Sequence, residues 1–300
     1  MGDASFVYRL YGLLIGSDLP LPELSPAACA IETFDVRLAL ATLPAALPMA
    51  PGLHQLADGM LLNMPDAGRY WVRHGRSLLI EPLPDAPERN VRLYLLGSAL
   101  GLLLHQRGLL PLHASSLSVE GKGIAFVGSS GAGKSTLAAH FLERGFDLLA
   151  DDVSVVEPWH GDWLIQPGVR RLRLWGETLR QLGRSPSRYE RAYAGDDSWD
   201  KYEIGVEGDA AIAVPLRAIY LLDRGDGGSV ERQGPVDAVE ILFGNTYRGH
   251  YLAWTGLPER HMRQCVALAR AVPVFRWRRS CDVGSLSSEV DRLLAHFRSL

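Results

Sequence analysis

The stretch Gly128-Ser129-Ser130-Gly131-Ala132-Gly133-Lys134-Ser135-Thr136 fits the pattern G-x-x-x-x-G-K-[ST]. It constrains the fold more than any other feature of the chain. An apolar run over residues 123–127 reads as a strand entering it, and residues 135–144 read as a helix leaving it. Glycines let the backbone curl so that successive amides point at one anion, and the helix N-terminus adds partial positive charge. The nine residues from Gly128 to Thr136 are therefore expected to cradle a nucleotide. Lys134 would reach the outer phosphates and Ser135 would ligate Mg²⁺.

After that helix, residues 146–150 read as a buried strand ending in Asp151-Asp152. A helical crossover joins parallel strands, and parallel strands finish on the same sheet edge, so the pair is expected beside the terminal phosphate. Two adjacent acids permit one to serve Mg²⁺ while the other takes a proton from an attacking hydroxyl. His113 enters by register. If a strand over residues 112–119 turns at 120–123 and pairs Val119 with Ile124, His113 falls opposite Ser130, on the phosphate edge.

Leu112-His113-Ala114, the glycine loop, and Arg144-Gly145-Phe146-Asp147-Leu148-Leu149-Ala150-Asp151-Asp152 together resemble the core of the HPr serine kinase/phosphorylase family. The resemblance implies an α/β fold, a P-loop kinase core of the HPr kinase type. It implies ATP and Mg²⁺ as the cofactors and Asp151 as the general base toward a seryl hydroxyl, assisted by His113, with Lys134 on the phosphates and Ser135 and Asp152 at the metal. The family's downstream E-[IV]-R-G-[LV]-G signature is replaced here by Pro167-Gly168-Val169-Arg170-Arg171-Leu172-Arg173-Leu174-Trp175. That segment, with Tyr8-Arg9-Leu10-Tyr11-Gly12-Leu13 and Leu19-Pro20-Leu21-Pro22-Glu23-Leu24, is similar to HPr-kinase-like proteins of lasso-peptide biosynthesis. The narrower likeness implies a precursor peptide phosphorylated at its C-terminal serine as the partner. The alternatives are a nucleotide switch, an ATPase with no peptide acceptor, and a kinase acting on HPr itself.

Ahead of this core, short apolar runs at 6–15, 34–40, 59–63, 70–72 and 78–80 are broken by Pro, Gly and Asp. They predict a small β-rich N-terminal region over residues 1–88, a proline-rich seam, and a catalytic domain over 89–300 that opens with a buried helix at 91–106. Further strands are expected at 218–222 and 274–277, and helices at 259–271 and 285–299.

Four further residues are candidates for reading the substrate. Arg171 and Arg173, two apart on a strand, would share one face, either as a clamp for a carboxylate or phosphate or as a solvated basic face. Lys201 lies in the polar run 196–202, either a substrate loop or an ordinary exposed one. Arg248 reads as an arginine for the transferring phosphoryl group or as part of a helix-end network.

With 31 basic and 34 acidic residues the net charge is -3, so no broad positive field for nucleic acid is present. Of the 31 basic residues only Lys122, Lys134 and Lys201 are lysines. Three scattered cysteines suggest neither a disulfide framework nor a zinc site, and no export signal or bilayer-spanning stretch is read. A cytoplasmic protein without membrane partners is expected, with homo-oligomerisation open.

Overall fold

The computed structural model describes residues 4–27, 33–206, 212–225, 228–279 and 283–300. It is mixed α/β. The N-terminal strands are β1 (Phe6–Leu10), β2 (Leu13–Ser17), β3 (Val36–Leu40), β4 (Gly52–Leu56), β5 (Gly59–Met64), β6 (Gly68–Arg73) and β7 (Ser77–Pro82). They form one sheet in the order β1-β2-β3-β7-β6-β5-β4. In β6 burial alternates residue by residue, with Tyr70 and Val72 inward and Arg69, Trp71 and Arg73 outward, the period-two signature of a half-covered strand. The sequence does not predict strand β4, because its two apolar side chains, Leu53 and Leu56, are three residues apart and give no such alternation, and none of its residues is fully buried.

A helical rod covers the inward face. It begins as α1 (Glu88–Tyr94), widens into a π-helical turn (Leu95–Ala99) and ends as α2 (Leu100–Gln106). Val91, Leu95, Leu96, Ala99 and Leu103 share a core with Tyr70, Val72, Leu78 and Ile80, and that core continues into Val153, Val155, Val169 and Tyr247. The expected seam at residue 88 thus does not divide the hydrophobic core. Gly101 is required by this packing, since a Cβ there would lie 2.8 Å from the Tyr247 ring.

The second sheet holds β8 (Leu110–Leu112), β9 (Ala114–Val119), β10 (Lys122–Val127), β11 (Asp147–Ala150), β12 (Ser154–Trp159), β13 (Asp162–Gln166), β17 (Val214–Arg224), β18 (Ser229–Arg232) and β19 (Val274–Arg279). β10 runs parallel to β17, and β17 parallel to β19. β11 and β10 each pair antiparallel with β9, so they too point the same way. Four strands therefore end on one edge, where α/β sheets present their ligands.

Helix α3 (Lys134–Glu143) follows β10, while α5 (Pro235–Gly244), the single turn α6 (Leu252–Thr255), α7 (Pro258–Ala271) and α8 (Val283–Arg298) complete the layers. A separate three-stranded sheet is made of β14 (Arg171–Trp175), β16 (Lys201–Gly205) and β15 (Glu190–Arg191), and β14 leads directly into short α4 (Gly176–Gln181). Among the described residues no helix is long and apolar enough to cross a membrane. Cys265 is free and buried; Cys29 and Cys281 lie outside the described residues.

Candidate active site

The register of the β9–β10 hairpin differs from the expectation by two residues. Val119 pairs with Lys122, because Glu120 and Gly121 both take positive φ (54° and 77°) and close a two-residue turn. A shift of two keeps every side chain on its face, so His113 stays on the glycine-loop edge although its position in the ladder changes. The expected single strand over 112–119 is also split. β8 pairs with β12, β9 pairs with β10 and β11, and His113 stands at the break, its amide donating to the Asn245 carbonyl at 2.7 Å.

One cavity is lined by His113, the glycine loop, Lys134, Ser135, Thr136, Asp151, Asp152, Arg173, Trp175, Thr178 and Lys201. Lys134 is folded back on its own loop. Its ammonium donates to the carbonyls of Gly128 (2.7 Å) and Ser129 (3.1 Å) and lies 3.1 Å from His113 Nε2. Burial lowers its pKa to about 8, against the opposing pull of Asp151 and Asp152.

Asp151 and Asp152 diverge because Asp152 adopts a left-handed backbone (φ 76°), a conformation aspartate tolerates better than most residues. Asp151 is 7% exposed. Its Oδ1 accepts hydrogen bonds from Ser115 and, at 3.0 Å, from Ser135, and its Oδ2 accepts from the Arg173 amide at 3.2 Å. Burial nonetheless raises its carboxyl above the usual range. Asp152 turns the other way, its Oδ1 3.2 Å from His113 Nδ1 and its Oδ2 3.4 Å from Arg173. Burial pushes that carboxyl up, but the His113 hydrogen bond and the Arg173 charge outweigh it and hold it well below the usual range. With Nε2 facing the Lys134 ammonium and Nδ1 facing Asp152, His113 bridges the two.

Ser135 and Asp151 form an oxygen pair suited to a hard divalent cation. Among the described residues no cluster of three acidic, histidine or cysteine ligands exists. Mg²⁺ typically takes one or two carboxylates and completes its shell with water and substrate phosphates, so this donor set fits it.

The substrate candidates fare differently. Arg171 is 7% exposed, within reach of Glu203 (3.1 Å) and Glu23 (3.8 Å). Arg173 is shared between Glu203 (3.0 Å) and Asp152. The solvated basic face is therefore absent, and the carboxylate-binding fork is already filled by the protein's own carboxylates. Lys201 belongs to strand β16 rather than to a loop, opposite Trp175 on β14, and enters the cavity. Arg248 does not line it; its guanidinium lies 5.8 Å from the Tyr247 ring centre, at the start of a 3₁₀ turn.

Four contributors were not among the sequence candidates. Ser115, two residues beyond His113 in β9, holds Asp151. Asn245 Oδ1 accepts from the Gly128 amide at 2.8 Å and so ties the loop to the segment that also holds His113. Arg279, at the end of β19, donates to the Ala132 carbonyl at 2.7 Å, and a Cβ at Gly133 would collide with it. Glu203 joins the two arginines. Only Ser115 had a local signal, its spacing of two from His113.

A cation, a hydroxyl, two carboxylates and a glycine loop opening a helix together supply the amide donors, positive charge and acid–base groups that phosphoryl chemistry uses. No protein-family model matches the chain. Over 72 residues, 24% of this chain, it is 40% identical to the HPr kinase/phosphorylase of Treponema pallidum (strain Nichols), covering 23% of that protein. Over 45 residues, 15% of this chain, it is 49% identical to the HPr kinase/phosphorylase of Chlorobaculum tepidum, covering 13% of it. The chain thus matches less than a quarter of the length of these curated relatives. The HPr(Ser) kinase/phosphatase structure from Coxiella burnetii aligns over 63% of this chain and 96% of that one at 11% identity. Its TM-score of 0.34 is too low to establish a common fold. Kinship with HPr kinase/phosphorylases is supported over these partial lengths.

Proposed function

We propose that this protein is a Mg²⁺- and ATP-dependent serine kinase whose acceptor is a ribosomal precursor peptide of the lasso type, phosphorylated at its C-terminal serine. The observation that carries the reading is the convergence of Lys134, Ser135, Asp151, Asp152 and His113 on one cavity. ATP would lie along the glycine-loop amides with Lys134 turned from its own carbonyls onto the outer phosphates. Bound Mg²⁺ would neutralise charge on the phosphates.

The hydrogen bonds favour an exchange of roles within the acidic pair. Asp151, joined to Ser135, belongs on the metal side, where a cation offsets the burial that raises its carboxyl. Asp152, oriented by His113, then faces the acceptor. The seryl oxygen attacks the γ-phosphorus as the bond to the bridging oxygen of ADP breaks, and the seryl proton passes to the Asp152 carboxylate. A depressed carboxyl suffices, because a loose phosphoryl-transfer transition state asks little of the base.

The peptide acceptor rests on the local motifs around residues 8–24 and 167–175 and on the loss of the E-[IV]-R-G-[LV]-G segment. Incubating the protein with labelled ATP and either a Ser-terminated precursor peptide or HPr tests it. Label is expected in the peptide. Label in HPr alone would assign the protein substrate, and label only in free phosphate would make the protein an ATPase.

A further inference from the structure

We propose that Lys201 is a second catalytic cation of this site, contacting the γ-phosphoryl group of the bound nucleotide alongside Lys134. The inference rests on the kinase reading above and adds to it a residue supplied by a different sheet.

The cavity wall carries three cationic side chains among the described residues: Lys134, Arg173 and Lys201. Lys134 has two carbonyls and the His113 ring as partners, and Arg173 has Glu203 and Asp152. Lys201 makes no side-chain hydrogen bond or ion pair with any described residue. Its ammonium is held 5.6 Å from the ring centre of Trp175, its cross-strand neighbour. A cation–π contact holds a charge in place without consuming its hydrogen-bond donors. An ammonium drawn partly out of water with its donors unspent is poised for an anion that arrives with the substrate.

The place of Lys201 says which part of the substrate it meets. The glycine-loop amides and Lys134 account for the phosphates nearest the helix N-terminus. Lys201 lines the same cavity on the side of Asp152 and Arg173, and Asp152 is the carboxylate that attracts it most. An acceptor hydroxyl must approach Asp152, and the group between that hydroxyl and the loop is the terminal phosphoryl. Lys201 exchanges no atom in the reaction. The seryl oxygen gains the phosphoryl group, ADP leaves with the bridging oxygen, the proton goes to Asp152, and Lys201 neutralises charge on the phosphoryl oxygens throughout.

The composition makes the test clean, because the chain has three lysines and the third, Lys122, is exposed and serves as an internal control. The wild-type protein is trace-acylated with acetic anhydride, and each lysine is quantified by mass spectrometry. Parallel samples hold no ligand, Mg·ADP, the Mg²⁺ complex of the β,γ-imido analogue of ATP, or a Ser-terminated peptide in acid or amide form. ADP should protect Lys134 and leave Lys201 reactive, whereas the imido analogue should protect both. Protection of Lys134 alone by the analogue overturns the role of Lys201 and leaves the kinase reading standing. Protection of Lys201 by the acid peptide but not by the analogue assigns it to the acceptor carboxylate and overturns the proposal. Protection of neither lysine by any nucleotide removes the kinase reading and this inference with it. As a second readout, Lys201→Met should lower kcat by about 100-fold with ADP affinity held, and Lys201→Arg should recover part of the loss. An unchanged kcat in Lys201→Met would overturn the proposal independently.

Discussion

The two walls of the cavity are made in different ways. On one side, β10, the glycine loop, α3, β11 and Asp151-Asp152 follow one another along the chain, and the common direction of β10 and β11 on either side of β9 brings them to one sheet edge. On the other, Arg173, Trp175 and Lys201 come from two strands of a small sheet whose charges are balanced by Glu203 from within that sheet and Glu23 from the N-terminal region. The first wall has spare binding capacity in its backbone, since amides at a helix N-terminus await an anion. The second spends most of its charge on itself. Similar residue types thus have different consequences: Lys134 and Lys201 line the cavity without a carboxylate partner among the described residues, whereas Arg171 and most of Arg173 hold the wall together.

The first wall should give the largest response. Lys134→Ala removes the one side-chain cation that the glycine loop itself supplies, and phosphoryl transfer is expected to fall by at least ~100-fold. Because Lys134, among the described residues, bonds only its own loop and His113, the fold should survive. Circular dichroism checks the fold, and steady-state turnover at saturating ATP checks the loss. A folded variant with wild-type turnover would break the distinction between the walls at its strongest point.

Within that wall the acidic pair should separate. Asp152→Asn keeps size and hydrogen-bonding capacity while removing the proton acceptor, so kcat should drop by about 100-fold with nucleotide affinity little changed. Asp151→Asn should chiefly raise the Mg²⁺ concentration needed for half-maximal rate. Titrating Mg²⁺ against both variants decides between this order and the reverse one.

The contrast also explains what was legible from sequence. The glycine loop, the crossover and the acidic pair have fixed spacings, and each spacing has one geometric consequence, so spacing alone places Lys134, Ser135, Asp151 and Asp152 together. His113 reaches the right face through a register that differs by two, a case in which strand parity protects the conclusion from the error. Arg171 and Arg173 do share a strand, yet whether their side of it meets water or carboxylates depends on Glu23 and Glu203, distant in sequence on either side. Asn245 and Arg279 are invisible for the same reason. Each acts on the glycine loop from the end of an element whose neighbour is set by sheet order, and sheet order leaves no local trace in the chain.

The second wall should therefore respond in stability before it responds in activity. Glu203→Gln leaves two largely buried guanidinium groups sharing fewer negative charges, at a cost of about 3 kcal/mol. Denaturant unfolding measures it. Replacing Arg171 with Met in the same chain removes one of the stranded charges and should restore part of the stability. A Glu203→Gln variant as stable as the wild type would show that the arginines are not held by this pair.

The smallest effect is expected where a free arginine fork would have given a large one. If Arg171 and Arg173 gripped a peptide carboxylate, amidating the C-terminus of a serine-terminated acceptor would cost a charge-assisted hydrogen bond, about 1.5 to 3 kcal/mol. That is roughly a 10- to 150-fold loss in kcat/KM. In the structure Arg171 is committed to Glu203 and Glu23, and Arg173 to Glu203 and Asp152, so accepting a substrate carboxylate would first require one of these buried pairs to open. The new contact would then replace an existing one of the same kind, and the net gain would be small. Acid and amide forms of one peptide are accordingly expected to differ by less than about threefold in kcat/KM, with the remaining difference attributable to long-range charge. Competition between the two forms in one reaction, read by mass spectrometry, resolves a difference of that size. A tenfold or larger preference for the acid would mean that the second wall opens for the substrate, and the pairing of Glu203 with the arginines would then be a closed state rather than a fixed scaffold.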